Sequence, residues 1–136
     1  MVRNPYELFS STVKLWKSLN EVQRLHRLGD QAWVEEYVLR SHETMYAAYE
    51  QDRELLQTQQ IYELRYEDLV EAPEMKLQEI YERLELGPFS RTETAVASYL
   101  RDVKNYRPND HAFPEATSAL VRQRWADYFQ RYGYPV

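Results

Sequence analysis

The first eleven residues, Met-Val-Arg-Asn-Pro-Tyr-Glu-Leu-Phe-Ser-Ser, predict the end of a strand followed directly by the start of a helix. The apolar Val2 before Arg3 is typical of a strand end. Asn4 is a favourable helix N-cap, because its side chain accepts a hydrogen bond from an orphan backbone N–H. Pro5 suits the first helical position, where its missing N–H costs nothing. Such a junction is where α/β folds bind anions, so it favours an α/β architecture with an anion site.

Arg3 and Ser11 are the side chains of this junction that suit a phosphate group. Pro5 to Ser11 spans about 9 Å at roughly 1.5 Å of helical rise per residue. Arg3 must therefore lean along the helix if both side chains are to contact one phosphate. A capped amphipathic helix with an exposed arginine is the alternative interpretation of these residues.

The sequence Val-Arg-Asn-Pro, with a serine eight residues after the arginine, resembles the 3′-phosphate-binding motif of sulfotransferases. Enzymes of that family use 3′-phosphoadenosine 5′-phosphosulfate (PAPS), so the resemblance implies that Arg3 and Ser11 hold the 3′-phosphate of this nucleotide. It also implies an α/β parent fold of the P-loop NTPase-like kind. We expect this chain itself to be mostly α-helical, with one or two short parallel strands.

Composition excludes several classes of protein. A chain of 136 residues with 43% hydrophobic and 14% aromatic residues is expected to form one globular domain. The net charge of −5 argues against general nucleic-acid binding, which needs a basic surface. The absence of cysteine excludes disulfides and thiolate metal sites. No apolar run reaches about 20 residues and no signal-peptide pattern is present, so we expect no membrane segment and favour a cytoplasmic location.

Apolar residues at helical spacing predict five helices. The first runs from Pro5 to about residue 28, the second from an N-cap at Asp30 to about residue 57, and the third from Pro73 to residue 86. Apolar stripes over 96–103 and 121–132 mark the other two, the last of which ends at Gly133. The first helix has apolar residues around much of its circumference, which predicts burial on more than one side. The second is rich in Glu, Gln and Arg, and we place His42 and the Glu35/Glu36 pair on its solvated face.

Residues 60–66, Gln-Ile-Tyr-Glu-Leu-Arg-Tyr, alternate between two unlike faces and predict a short strand. Together with the Glu-Asp-Leu that follows, Pro73 and a Leu-Gly stop, this segment resembles the strand end and proline-started helix of sulfotransferases. In that family the tyrosine lies near the nucleotide, so the resemblance implies that Tyr66 contacts the cofactor. A tyrosine that caps the strand, with its hydroxyl bonded to the backbone, is the alternative. Glu67 and Asp68 point apart if they end a strand, so we expect capping and solvation rather than one joint acid or metal site.

The segment 104–114 is dense in cations, amides and prolines. Many sulfotransferases have a basic loop at this place that closes over the nucleotide. The resemblance therefore makes Lys104, Tyr106, Arg107 and His111 candidate nucleotide contacts. The Arg-Lys-Gly triplet of the cytosolic small-molecule enzymes is not found in this loop.

The chain lacks the glycine-rich loop with a Lys or Arg that, in the family, cradles the 5′-phosphosulfate on backbone N–H groups. Its three glycines, Gly29, Gly87 and Gly133, are each predicted to end a helix. We therefore expect residues 1–136 to be the C-terminal part of a single sulfotransferase domain, without its N-terminal P-loop half.

The function that the resemblance implies is transfer of a sulfuryl group from PAPS to an acceptor hydroxyl or amine. Neither the acceptor nor a catalytic base is identified by the sequence. One alternative is a relative of nucleotide or nucleoside kinases, but the Gly-x-x-x-x-Gly-Lys-Ser/Thr loop of such proteins does not occur here. The other is a non-catalytic helical interaction module, for which an acidic surface and tyrosine-rich helices are sufficient. Binding of adenosine 3′,5′-bisphosphate would separate the latter from a sulfotransferase.

Overall fold

The computed structural model describes residues 1–23, 33–103 and 114–136. These residues are mostly helical, as predicted. Their α-helices are α1 Pro5–Gln23, α2 Trp33–Arg53, α3 Tyr66–Glu71, α4 Pro73–Arg83, α5 Glu93–Asp102, α6 Glu115–Arg124 and α7 Ala126–Tyr132. No helix within these ranges is long and apolar enough to cross a membrane.

The chain divides into two compact units. Unit I comprises Met1–Arg3 and Asp52–Asn109, and unit II comprises Asn4–Gln51 and Asp110–Val136. Unit I therefore contains α3, α4 and α5, whereas unit II contains α1, α2, α6 and α7.

Helix α1 begins where the sequence predicts. The Asn4 Oδ1 atom accepts a hydrogen bond from the Tyr6 backbone N–H at 3.0 Å. The Asn4 carbonyl accepts the first intrahelical bond, from the Leu8 N–H at 2.9 Å. Pro5 is the first helical residue and is buried. The predicted N-cap and helix start are thus confirmed.

Replacing the N-cap side chain tests how much this helix start contributes to stability. We expect Asn4→Ala to lower the free energy of unfolding by about 1 kcal/mol, because the Tyr6 N–H loses its acceptor. Asn4→Asp keeps an acceptor oxygen at the same place and should cost far less. Urea denaturation of the three proteins measures the difference. Equal losses in the two variants would contradict the capping role.

Unit II buries aromatic side chains between its helices. The Phe9 ring on α1 meets Trp125, which follows α6, edge to face at a centroid distance of 5.9 Å. Tyr6 meets Phe129 on α7 in the same way at 5.0 Å. The most deeply buried side chains of this unit are Pro5, Phe9, Val34, Leu39, Val121 and Phe129. Edge-to-face pairs of this kind add to the stability that area burial alone supplies.

Helix α1 buries one face rather than several. Its buried residues are Pro5, Phe9 and Val13, which recur every four residues. Leu15 lies off this stripe and is 55% exposed. The prediction that α1 is buried on more than one side is therefore wrong, because the apolar residues away from this stripe are only half-buried, as Leu8 and Leu19 are, or exposed, as Leu15 is.

The helix end predicted at Gly133 is confirmed, whereas the end predicted at Gly87 is wrong because α4 already ends at Arg83. Gly133 has a positive φ of 64° and ends α7, as predicted. The predicted helix over 121–132 is broken at Trp125, whose φ and ψ are −109° and 27°. Helix α2 ends at Arg53, four residues before the predicted position, because Leu55 and Leu56 form turn bonds to Asp52 and Arg53.

Unit I contains the proline-started helix that the sequence predicts. Pro73 is the first residue of α4, and the helix ends at Arg83. Beyond it, Glu85 adopts a left-handed φ of 53°, and the Leu86 N–H donates to the Tyr81 carbonyl at 2.9 Å. The Tyr81 ring packs edge to face on Phe89 at 5.3 Å.

The predicted short parallel strands are not formed in the described residues. Instead, Val2 and Arg65 make one isolated parallel bridge. Residues Thr58–Gln60 form a single 3-10 turn, and Tyr66 starts α3 instead of ending a strand. Alternating polarity made this segment resemble a strand, but a strand needs a partner along its length. Here the pairing is limited to one bridge.

Candidate functional site

The bridge between Val2 and Arg65 brings together two of the residues that the sequence singles out. The Val2 N–H donates to the Leu64 carbonyl at 2.8 Å, and the Tyr66 N–H donates to the Val2 carbonyl at 2.8 Å. Because Val2 is paired with Arg65, the next residue on each side, Arg3 and Tyr66, become neighbours. All of these residues belong to unit I.

The Arg3 guanidinium lies over the ring of Tyr66. Its Cζ atom is 4.7 Å from the ring centroid, well within the range of a cation–π contact. Both side chains are half-buried. Sequence reasoning named both residues but did not predict that they touch. The pairing of Val2 with Arg65 was the missing information, since it sets the register of the two segments.

Charged residues continue next to this pair. Arg65 Nε lies 4.0 Å from Glu67 Oε2. Glu67 and Asp68 lie in the first turn of α3, where negative charge interacts favourably with the helix dipole. Within the described residues, no group of three or more His, Asp or Glu side chains is placed to hold a metal ion.

Ser11, the second residue of the predicted 3′-phosphate motif, is exposed on α1 in unit II. A cavity of about 400 Å³ lies on this unit between α1 and the start of α6, and the polar side chains that line it include Ser10, Lys14, Lys17 and Thr117. Glu21 and Glu35 also line this cavity, and Lys17 is paired with Glu35 at 3.3 Å. The two lysines are thus balanced by two carboxylates, so the cavity by itself does not favour an anion.

His42 is buried, which contradicts its predicted place on a solvated face. Only 8% of its surface is exposed. Its ring stacks on Trp125 at 3.9 Å and on Tyr46 at 5.7 Å, and Tyr128 meets it edge-on at 5.1 Å. The periodic signal was present, since His42 follows the buried Val34 and Val38 at intervals of four residues.

Burial changes the protonation of this histidine. Desolvation lowers the pKa of His42 to about 4, against a smaller opposing effect of the Glu43 carboxylate. The Arg124 guanidinium binds Glu43 at 2.6 and 2.8 Å and Glu36 at 3.0 Å. Its hydrogen bond lowers the pKa of Glu43 in turn. A neutral histidine enclosed by aromatic rings serves packing, so we assign it a structural role.

Lys104, Tyr106, Arg107 and His111 lie outside the described residues. Their roles as nucleotide contacts remain predictions. The described residues therefore bring together Arg3 and Tyr66 from the predicted set.

Comparison with known proteins agrees with these features. The profile described as "Sulfotransferase family" matches residues 1–91. The chain is 33% identical to "Omega-hydroxy-beta-dihydromenaquinone-9 sulfotransferase Stf3" of Mycobacterium bovis and to the protein of the same name from Mycobacterium tuberculosis. Each alignment covers 98% of this chain and 34% of the relative, so the chain spans about a third of the length of these curated relatives. No solved structure matches the chain significantly.

Proposed function

We propose a nucleotide-binding role for this chain, which belongs to the sulfotransferase family. A sulfotransferase needs a sulfuryl donor and an acceptor, and the donor in our proposal is PAPS. The chain would contribute the part that binds the 3′-phosphoadenosine. The nucleotide contacts that we propose are Arg3, Ser11, Tyr66, Lys104, Tyr106 and Arg107.

The observation that carries this proposal is the Arg3–Tyr66 pair. A guanidinium held at the start of a helix presents planar N–H donors, which match the oxygens of a phosphate. Arg3 precedes Asn4 and Pro5, the residues that start α1. Ser11 is included on the strength of the motif alone.

The reaction would be an in-line displacement at sulfur. The bond between sulfur and the bridging phosphate oxygen breaks, the acceptor oxygen bonds to sulfur, and the acceptor hydroxyl gives up its proton. The leaving group is adenosine 3′,5′-bisphosphate. Arg3 and Ser11 would hold a phosphate that does not react, so their contribution is binding energy that fixes the position of the donor.

The acceptor that we propose is the hydroxyl of an apolar molecule of the isoprenoid quinone class. Support for this comes from the relatives, whose name specifies an omega-hydroxylated dihydromenaquinone. At 33% identity over nearly the whole chain, a related acceptor is the simplest proposal.

We also propose that residues 1–136 are the C-terminal part of one sulfotransferase domain. Gly87 and Gly133 have positive φ values of 92° and 64°; Gly133 ends α7, and Gly87 lies four residues after the end of α4. Neither belongs to a glycine-rich loop that could hold the 5′-phosphosulfate on backbone N–H groups. A second segment would have to supply that loop.

Turnover assays test these proposals together. We expect the full-length protein to sulfate an omega-hydroxylated dihydromenaquinone in the presence of PAPS, with the product identified by mass spectrometry. We expect no turnover by the 136-residue chain alone, because its sequence contains no glycine-rich loop to hold the 5′-phosphosulfate. A phenol is the control acceptor. Turnover by the chain alone would contradict the domain proposal, whereas a full-length protein that neither binds PAPS nor uses it would contradict the function.

A further inference from the structure

We infer that Tyr66 is a positioning residue, whose ring holds the Arg3 guanidinium in the orientation that a phosphate requires. This inference rests on the proposed role of Arg3 in binding the nucleotide 3′-phosphate. It differs from the expectation that Tyr66 itself contacts the nucleotide. The distance of 4.7 Å from Arg3 Cζ to the ring centroid is the observation behind it.

The two contacts that Arg3 would make are geometrically compatible. A cation–π contact uses the flat face of the guanidinium. The N–H donors lie in the plane of the group and point away from its edges, where they can form two parallel bonds to phosphate oxygens. Stacking on a ring therefore orients the guanidinium without using its in-plane N–H donors.

Backbone hydrogen bonds set the position of the Tyr66 ring relative to Arg3. Tyr66 is the first residue of α3, and its N–H bonds to the Val2 carbonyl. Leu64, two residues before Tyr66, is 6% exposed and accepts the bond from the Val2 N–H. The same two backbone bonds thus fix both the arginine and the ring against which it lies.

Such an arrangement reduces the conformational entropy that the Arg3 side chain loses when a ligand binds. A free arginine side chain populates many rotamers and must be ordered when a ligand binds. A guanidinium already stacked on a half-buried ring has fewer orientations to lose. We therefore expect loss of the ring to weaken only the interaction that Arg3 makes.

The experiment compares two replacements of Tyr66 in the full-length protein by calorimetric titration. Tyr66→Phe keeps the ring and removes the hydroxyl, whereas Tyr66→Leu removes the ring. The ligands are adenosine 3′,5′-bisphosphate and adenosine 5′-monophosphate, which lacks the 3′-phosphate. Tyr81→Leu is the matched control, because Tyr81 is another aromatic residue of unit I and packs on Phe89.

We expect Tyr66→Leu to weaken binding of the bisphosphate by about threefold to thirtyfold, the range that a cation–π contact covers. Tyr66→Phe should stay within about twofold of the wild type, since a phenyl ring also accepts a cation. Affinity for the monophosphate should not change in any variant. In an Arg3→Ala background, Tyr66→Leu should have no further effect, because the two residues act as one unit.

Two sets of results would overturn the inference. If Tyr66→Phe weakens binding as much as Tyr66→Leu, or if the monophosphate is also affected, the tyrosine contacts the nucleotide directly. Additive losses in the double variant would lead to the same conclusion. If Arg3→Ala leaves the bisphosphate affinity unchanged, the proposed role of Arg3 fails instead.

A measurement without nucleotide tests the stack itself. The side-chain protons of Arg3 should be shifted upfield in the NMR spectrum by the Tyr66 ring. The shift should persist in Tyr66→Phe and disappear in Tyr66→Leu. Its absence from the wild-type spectrum would contradict the positioning role, whatever the binding data show.

Discussion

Replacing Arg3 with alanine in the full-length protein is expected to weaken binding of adenosine 3′,5′-bisphosphate by about tenfold to a hundredfold. The variant loses a charge-assisted contact, and such hydrogen bonds are worth roughly 1.5–3 kcal/mol. Ser11→Ala removes a neutral donor, worth about 0.5–1.5 kcal/mol, and should therefore have a smaller effect. Adenosine 5′-phosphosulfate, which lacks the 3′-phosphate, should bind the wild type and Arg3→Ala about equally.

A change in overall charge has to be separated from loss of the specific contact. Arg101→Ala makes the same change in net charge at an arginine on α5 whose Nε donates to the Ala97 carbonyl. We expect this control to bind both nucleotides as the wild type does. If Arg3→Ala weakens both nucleotides to the same extent, the arginine acts through the fold or through general charge, and the 3′-phosphate assignment is wrong.

Stability is expected to fall by about 2 kcal/mol between pH 7.5 and pH 5 because of His42 alone. Its pKa is lowered from 6.5 to about 4 in the folded protein. Between these values the unfolded chain binds a proton that the folded protein does not bind. As far as His42 is concerned, the free energy of unfolding is therefore highest above pH 6.5, and it falls progressively as the pH drops toward 4.

Between pH 7.5 and pH 5, the change in stability caused by His42 can be measured apart from the changes caused by the carboxylates. The pKa of Glu43 is lowered from 4.5 by its bond to Arg124, so its stabilising contribution is lost only below that range. Urea denaturation at several pH values measures the slope. His42→Phe keeps an aromatic ring between Tyr46 and Trp125 but cannot be protonated, so its stability should depend less on pH. Equal slopes for the variant and the wild type would show that His42 does not cause the effect.

Local signals in the sequence predict several element ends because their physics involves only neighbouring residues. The Asn4 side chain needs nothing beyond the next turn to cap α1. Pro73 starts α4 for the same kind of reason. Gly133 ends α7 because its left-handed φ of 64° is available to glycine without strain.

The features that sequence reasoning missed depend on distant partners. Residues 60–66 alternate as a strand does, but the pairing available to them is one bridge to Val2, and Tyr66 joins a helix. His42 was placed at the surface because of its polar neighbours, although three rings enclose it. Similarly, the Arg3–Tyr66 contact follows from the register of two segments about sixty residues apart, which no local pattern encodes.

The family resemblance, in contrast, was carried by short motifs and is supported by the family match over residues 1–91. The kinase alternative loses its basis with that match. Assignment of individual nucleotide contacts depends on geometry that motifs do not contain. The chemistry of the family was therefore more accessible from the sequence than the placement of any one side chain.

The single bridge between Val2 and Arg65 also determines how readily these two segments separate. Two hydrogen bonds hold it, from the Val2 and Tyr66 amides, and such a short pairing opens more readily than a ladder of many bonds. Because both bonds belong to one bridge, the two amides should exchange their protons with solvent in concert. In the proposed nucleotide site only the closed form places Arg3 for the 3′-phosphate, so the apparent dissociation constant would be the intrinsic one divided by the closed fraction. The exchange rates of these two amides without ligand thus report the open fraction, and with it the factor by which opening lowers the apparent affinity.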